Sequence, residues 1–457
     1  MYRLVVDKFG PLSNVDININ DISIFIGPQA SGKSTIAKLI YYFLSIRDDL
    51  SQYYISYITI GTIKQSHVII SDIKKRLRYK FVQLFGTTKH LQNFNIHFYY
   101  SNSSYIHITL NKDNFIDSIL SRNINDQITA INKDLYQYLK YLESPSAREV
   151  TQESILLQNT KQRQILLSIS SRINTMIGED NVAIYIPACR SMLATLSDYI
   201  YNLIHDKIIE DKEDNASYNY SIDYATKTFI NKITHLKKVF NQSLDDIIID
   251  RRKFADSSTT IPNELLDKIK KLSYAILNGE YRYSYNEERL YYSKDEYVKF
   301  SFSSSGQQEA TWIVLLIFMQ ILNNANTTIL IEEPEAHLYP EAQMYIMQLI
   351  ALFANYKSNK VIITTHSPYT LTTLNTFIQA HSIGQKATLK AQTNDIVSKD
   401  MWINYNKLSA FMLNNKQLLS LLDDELKQIK AEEIDGVSSI INENYYKLLE
   451  LETNEVQ

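Results

Sequence analysis

Ile22-Ser-Ile-Phe-Ile26 running into Gly27-Pro28-Gln29-Ala30-Ser31-Gly32-Lys33-Ser34-Thr35 is the stretch from which the fold can be read. The first five residues are a short apolar run of the kind that forms a strand buried on both faces. After the loop, Ile36, Leu39, Ile40, Phe43 and Leu44 recur at helical spacing. The order is strand, glycine-bearing loop, helix. Only ten glycines occur in 457 residues, and two of them stand at the spacing G-x-x-x-x-G-K-S. A loop that wraps a triphosphate turns successive N–H groups inward, which requires glycine at Gly27 and Gly32. Lys33 then neutralises the β- and γ-phosphates, Ser34 offers a hydroxyl to Mg²⁺, and the following helix directs its positive end at the anion.

Three further segments supply partners for that loop. In Thr328-Ile-Leu-Ile331-Glu332-Glu333-Pro334-Glu335 an apolar strand ends in carboxylates. Such a Walker B element holds Mg²⁺ through its first acid, Glu332, and orients or deprotonates the attacking water through its second, Glu333. In Phe302-Ser303-Ser304-Ser305-Gly306-Gln307-Gln308-Glu309 serines and a glycine open a helix carrying Trp312, Leu315 and Leu316. Exposed N–H groups and hydroxyls there make a second anion site without a lysine, although a plain serine-rich turn reads the same locally. Val361-Ile-Ile-Thr364-Thr365-His366-Ser367-Pro368 is a strand ending in a histidine, which a neighbouring parallel strand would set beside the same phosphates.

Around these motifs, residues 3 to 26 read as strands turning at Gly10-Pro11. Strands are expected at His67–Ile70, Ile96–Tyr100 and Tyr105–Leu110, with a helix from Asp72 to Phe85 stopped by Gly86. Residues 112 to 178 read as helical, and Asn181–Ile186 as a buried strand closed by Pro187. Residues 191 to 278 return to helical periodicity, with loops near 211–219 and 256–262. A hairpin follows through Tyr281–Tyr283 and Leu290–Tyr292.

Apolar residues at 45% and charged residues at 21% exclude a disordered or collagen-like polymer. The apolar run Trp312–Met319 is too short for a membrane span, and Met1–Gly10 carries charges within its first apolar stretch, so a cytoplasmic protein without membrane partner is expected. A single cysteine, Cys189, rules out an internal disulfide and a Cys-x-x-Cys zinc site. A net charge of −3 gives no global basic field for nucleic acid.

In order and wording, Gly27-Pro-Gln, Ser304-Ser-Gly-Gln-Gln308, Glu332-Glu-Pro-Glu-Ala-His337 and Thr365-His-Ser-Pro368 resemble the ABC-type ATPase superfamily, in its SMC-like and OLD-like cytosolic branch. The resemblance covers mainly 1 to 45 and 280 to 375. It implies an α/β fold: an ABC-type P-loop ATPase head with a mixed central sheet, flanking helices and an antiparallel β lobe, carrying a largely helical insertion. The corresponding division is an N-terminal ATPase lobe 1–110, a helical insertion 111–180, a return strand 181–192, a helical subdomain 193–278 and a C-terminal ATPase lobe 279–457.

In that family two heads pair head to tail around ATP and Mg²⁺. Carried over, Gly27 to Thr35 bind the nucleotide in cis, and Ser304, Ser305, Gly306 and Gln307 cap the γ-phosphate in trans. Ser34 and Glu332 serve Mg²⁺, Glu333 is the general base, His366 contacts the γ-phosphate, and Glu335 to Leu338 form the D-loop at the seam. Ser305 replaces the first glycine of the usual signature. No glutamine loop is assigned, and Ile186-Pro-Ala-Cys-Arg190-Ser191 stands in its place, with Arg190 reaching phosphate.

No Asp-x-Asp follows His366, so a nuclease within the chain is not expected. The chain is similar to the stand-alone ATPase subunits of bacterial antiphage systems of the Septu and PARIS type. That implies a homo-oligomeric ATP-driven sensor and scaffold for a separate effector nuclease, Toprim or HNH, triggered by DNA or a phage protein. The alternative is a RecF-like repair ATPase, supported by the basic run Lys74-Lys75-Arg76-Leu77-Arg78-Tyr79-Lys80 and by Arg251-Arg252-Lys253. A transporter subunit fits the insertion and the Glu332-Glu-Pro-Glu wording least.

Overall fold

The N-terminal segment forms β1 (Tyr2–Phe9), β2 (Leu12–Ile19) and β3 (Ile22–Ile26). Burial alternates along β1 and β2, which therefore show one face to the core, whereas all five residues of β3 are buried. The structure, a computed structural model, describes residues 2–60, 66–86, 91, 93–111, 115–145, 151–178, 180–195, 223–253, 261–414, 416–430 and 441–448. Further strands are β4 (Asn95–Tyr99), β5 (Tyr105–Leu110), β6 (Ile116–Leu120), β7 (Val182–Ile186), β8 (Glu280–Ser284), β9 (Glu287–Tyr291) and β10 (Tyr297–Lys299). β11 (Thr327–Glu332), β12 (Lys360–Thr365), β13 (Leu408–Asn414) and β14 (Gln417–Ser420) follow.

Among the described residues one sheet runs in the order β6-β5-β4-β1-β2-β14-β13-β3-β12-β11-β7. From β13 to β7 the pairing is parallel throughout, and from β6 to β2 it is antiparallel. β14 joins the halves, antiparallel to β13 and parallel to β2. This is the mixed α/β architecture expected from the motifs.

Because side chains alternate along a strand, the sheet serves two cores. Ile24, Ile26, Ile329, Ile331 and Ile363 face one side, where they meet helices Asn263–Leu277, Ser305–Leu322, Pro340–Asn355 and Pro368–Gly384. Phe25, Leu330 and Ile362 face the other, against the phosphate-loop helix Lys33–Leu44. Each fully buried Ile, Leu or Phe contributes about 1.5–3 kcal/mol. The strand ends carrying the motifs are thus clamped between two apolar layers.

Two expectations are corrected. His67–Ile70 lies within the helix Ser66–Phe85, because Ile69, Ile73, Leu77, Phe81 and Leu84 form one buried stripe at intervals of four and three. That stripe outweighs the β-branched run. The range 112–178 is not wholly helical: it contains β6, whose Ile116, Ser118 and Leu120 point inward while Asp117 and Ile119 are exposed. Helical structure begins only at Arg122, after Ser121 caps it by accepting from Ile124 N, and continues in Gln152–Ile177. The loop expected near 211–219 lies outside the described residues, as does most of the one near 256–262.

Candidate nucleotide-binding site

Strand register builds the site. Ile26 of β3 stands opposite Thr365 of β12, Glu332 of β11 opposite Thr364, and Ile331 opposite Ile186 of β7. The residues that follow these pairs, Gly27, His366, Glu333 and Pro187, therefore emerge in one row at the carboxyl ends of four adjacent parallel strands. In open α/β sheets that edge is where ligands bind.

The phosphate loop is shaped by positive φ at Gly27 (+153°), Ala30 (+58°) and Gly32 (+108°). A Cβ at Gly27 would lie 2.3 Å from Leu413 O, and one at Gly32 would lie 2.8 Å from Leu12 Cδ2. Both glycines are required by close approach as well as by φ. Pro28, Gln29 and Ala30 are exposed, Ser31 and Thr35 half-buried, and Ser34 lies on the first turn of the helix. Lys33 is buried, and its Nζ donates to Gly27 O and Pro28 O, each at 2.8 Å. Burial lowers its pKa, opposed by the charges of Glu333, Glu332 and Glu335.

Glu332 is also buried; one carboxylate oxygen, Oε2, accepts from Ala188 N at 3.1 Å, and Oε1 has no hydrogen-bond partner. A buried carboxylate oxygen without a hydrogen-bond partner suits a hard divalent cation. No group of three or more His, Cys, Asp or Glu among the described residues would hold such an ion alone. The donor set therefore fits Mg²⁺ shared with phosphate oxygens, the mode in which this ion binds at nucleotide sites.

Glu333 has φ +45°, rare for a side-chain-bearing residue. Its N–H donates to Thr364 O at 2.8 Å, and its carbonyl accepts from Arg190 Nη2 at 2.9 Å and Ala336 N at 3.0 Å. Its carboxylate Oε1 lies 3.3 Å from His366 Nε2. Glu335 holds the histidine from below, accepting from His366 N at 2.8 Å and Thr365 Oγ1 at 2.6 Å.

Ser304 caps the helix Ser305–Leu322 in a reciprocal box with Gln307, the Ser304 hydroxyl accepting from Gln307 N and the Gln307 side chain accepting from Ser304 N. Ser304 and Ser305 are exposed and Gly306 is buried, where a Cβ would lie 2.6 Å from His337 O. The helix start thus abuts the loop Glu335–Leu338. Among the described residues no hydrogen bond links Ser304–Gln307 to Gly27–Thr35.

Arg190 corrects the sequence expectation of a phosphate contact. Its guanidinium is enclosed, donating to Pro187 O (2.8 Å), Glu332 O (2.6 Å), Glu333 O (2.9 Å) and Glu309 O (3.0 Å). It pairs with the buried Glu309 carboxylate, with Nε 3.1 Å from Oε2. Burial lowers its pKa, opposed first by Glu309. Sequence reasoning passes over Glu309, yet a signal for it exists: it is the lone charge in the otherwise uncharged helix Ser305–Leu322, and a buried lone charge demands a partner. The placing of β13 beside β3, which brings Leu413 over Gly27, carries no local motif.

Several solved structures are similar in overall course. The head domain of an Smc protein bound to the C-terminal winged-helix domain of ScpA shares 12% identity, at a TM-score of 0.39 over 93% of this chain and 98% of that one. The SMC head domain from Thermotoga maritima shares 10%, at 0.35 over 92% and 97%. The Smc head domain with an extended coiled coil, bound to the C-terminal domain of ScpA, from Pyrococcus furiosus shares 12%, at 0.36 over 96% and 100%. No curated protein matches the chain in sequence. The family model for the AAA ATPase domain matches residues 1–371, which include the phosphate loop, the paired carboxylates and His366. The chain belongs to the AAA ATPase domain family.

Proposed function

We propose that this chain binds ATP at Gly27–Thr35 and hydrolyses it with Glu333 as general base, two copies pairing head to tail across the nucleotide. The observation that carries the reading is the row of strand ends that sets Gly27, Glu333 and His366 side by side, with Lys33 Nζ donating to Gly27 O and His366 Nε2 3.3 Å from Glu333 Oε1. The loop N–H groups and the helix N-terminus receive the phosphates, and Lys33 exchanges its bonds to Gly27 O and Pro28 O for phosphate oxygens. Ser34 and Glu332 would hold Mg²⁺, which when bound would neutralise phosphate charge. Glu333 accepts the proton of the attacking water, and His366, fixed through Glu335, contacts the γ-phosphate. The exposed Ser304 and Ser305, unlinked to the loop of their own chain, support a role for the signature toward a second copy.

ATP binding closes the pair and hydrolysis reopens it, so the chain serves as a sensor and scaffold for a separate effector nuclease in antiphage defence. The ABC-type motif wording, together with the lack of a Cys-x-x-Cys and of an Asp-x-Asp after His366, supports this. The repair alternative loses part of its footing, because Lys80 is buried and tied to Ser45 Oγ and Asp49, and Arg76 lies over the Tyr53 ring. The basic run is split between core and solvent.

The test is mass spectrometry of what copurifies in ATP with tagged Glu333→Gln protein expressed from its native locus. A stoichiometric nuclease supports the defence reading; DNA without a protein partner moves the assignment to repair.

A further inference from the structure

Arg190 and Glu309 are each 1% exposed, a charged pair wholly inside the protein behind the carboxylates of the site. Stability alone is a weak reason for such a pair, since apolar residues of the same volume serve as well or better. Geometry gives the stronger reason. The fork of Arg190 reaches the carbonyls of Pro187, Glu332 and Glu333, at the ends of β7 and β11. Its other edge grips Glu309, whose carboxylate also accepts from Arg190 N and Ser191 N, each at 3.0 Å. Glu309 lies little more than one turn past the cap Ser304.

Resting on the ATPase reading above, we infer that Arg190, held by Glu309, is a positioning residue for Glu333 and ties the setting of that carboxylate to the seating of the helix led by Ser304. Glu333 sits in left-handed backbone, a conformation kept only where its surroundings enforce it. Arg190 Nη2 on the Glu333 carbonyl is one of three bonds that do so, with Thr364 O and Ala336 N as the others. A shift of the helix start moves Glu309, then the guanidinium, then the peptide plane that aims the base. A lysine keeps the charge but cannot span carbonyls of two strands and a helix at once.

The test is a double-mutant cycle on the full chain with Arg190→Lys and Glu333→Gln, reading kcat at saturating Mg-ATP and ATP affinity separately. Arg190→Lys is expected to lower kcat about tenfold or more while ATP affinity stays within about threefold. In the Glu333→Gln background the same change is expected to alter kcat by less than about twofold, since the group it acts through is gone. An equal loss in both backgrounds, or a fall in ATP affinity matching the fall in rate, overturns the inference. If Arg190→Lys shows no cooperative unfolding transition, Glu309→Gln runs the same cycle, and a wild-type kcat there overturns it. Glu333→Gln hydrolysing at the wild-type rate overturns the ATPase reading and this inference together, whereas a slow Glu333→Gln with additive losses overturns this inference alone.

Discussion

On the proposed reading, Lys33 is the residue on which nucleotide affinity turns. Its ammonium is buried and held by the loop's own carbonyls, so its removal takes away the one cation aimed into the loop among the described residues. Lys33→Ala is expected to abolish measurable Mg-ATP binding in equilibrium titration with a fluorescent ATP analogue; retained affinity would refute the placement of the phosphates. Gly27 is constrained twice, by φ +153° and by Leu413 O, which lies 2.3 Å from the place a methyl group would take. Gly27→Ala should therefore lose at least about 2 kcal/mol in denaturant unfolding, since a backbone oxygen cannot turn aside. An unchanged midpoint would show that β13 does not cover the loop. At this scale the placing of the candidate site is legible in the sequence: Lys33, Glu332, Glu333 and His366 are polar residues at the ends of apolar strands or beside them. Arg190 is legible as a candidate but not in its role, because the residues it grips lie far off in sequence and only the fold assembles them.

Elements are legible where one period governs a long stretch, as in β3 and the helix after it. They mislead where two periods compete over a few residues, as at His67–Ile70 and at β6. β13 escapes because a strand's neighbours are set by topology, not by its own sequence. One element-scale consequence lies in the antiparallel lobe, where His97 of β4 and His107 of β5 stack with ring centroids 3.8 Å apart. Burial holds both below the usual histidine pKa; for His107 repulsion from His97 adds to this and Asp117 opposes it. The folded state therefore favours the neutral rings. Their stabilising contribution is whole above about pH 6.5 and is lost as pH falls from there toward the depressed folded values, because the unfolded chain then binds more protons. The thermal midpoint of the wild type is expected to drop between about pH 7.5 and 5.5 more than that of His107→Asn. Equal slopes would show that the pair does not couple to folding.

The whole molecule is a sheet whose parallel half carries one row of chemistry, while the helix start Ser304–Gln307 makes no hydrogen bond to the phosphate loop of its own chain among the described residues. On the proposed head-to-tail reading, a second copy completes the site. Glu333→Gln is expected to sediment as a dimer or larger in Mg-ATP and as a smaller species without nucleotide, and Lys33→Ala to remain small in both. A single species in all four conditions would contradict head-to-tail pairing. The most direct test of the central claim is single-turnover hydrolysis of Mg-ATP by the wild type and Glu333→Gln, with ATP binding measured alongside. A fall in rate of about 10²- to 10⁴-fold with binding intact is the expected result, since the role proposed for Glu333 is to take the proton of water without holding the nucleotide. Equal rates in the two proteins would contradict the account.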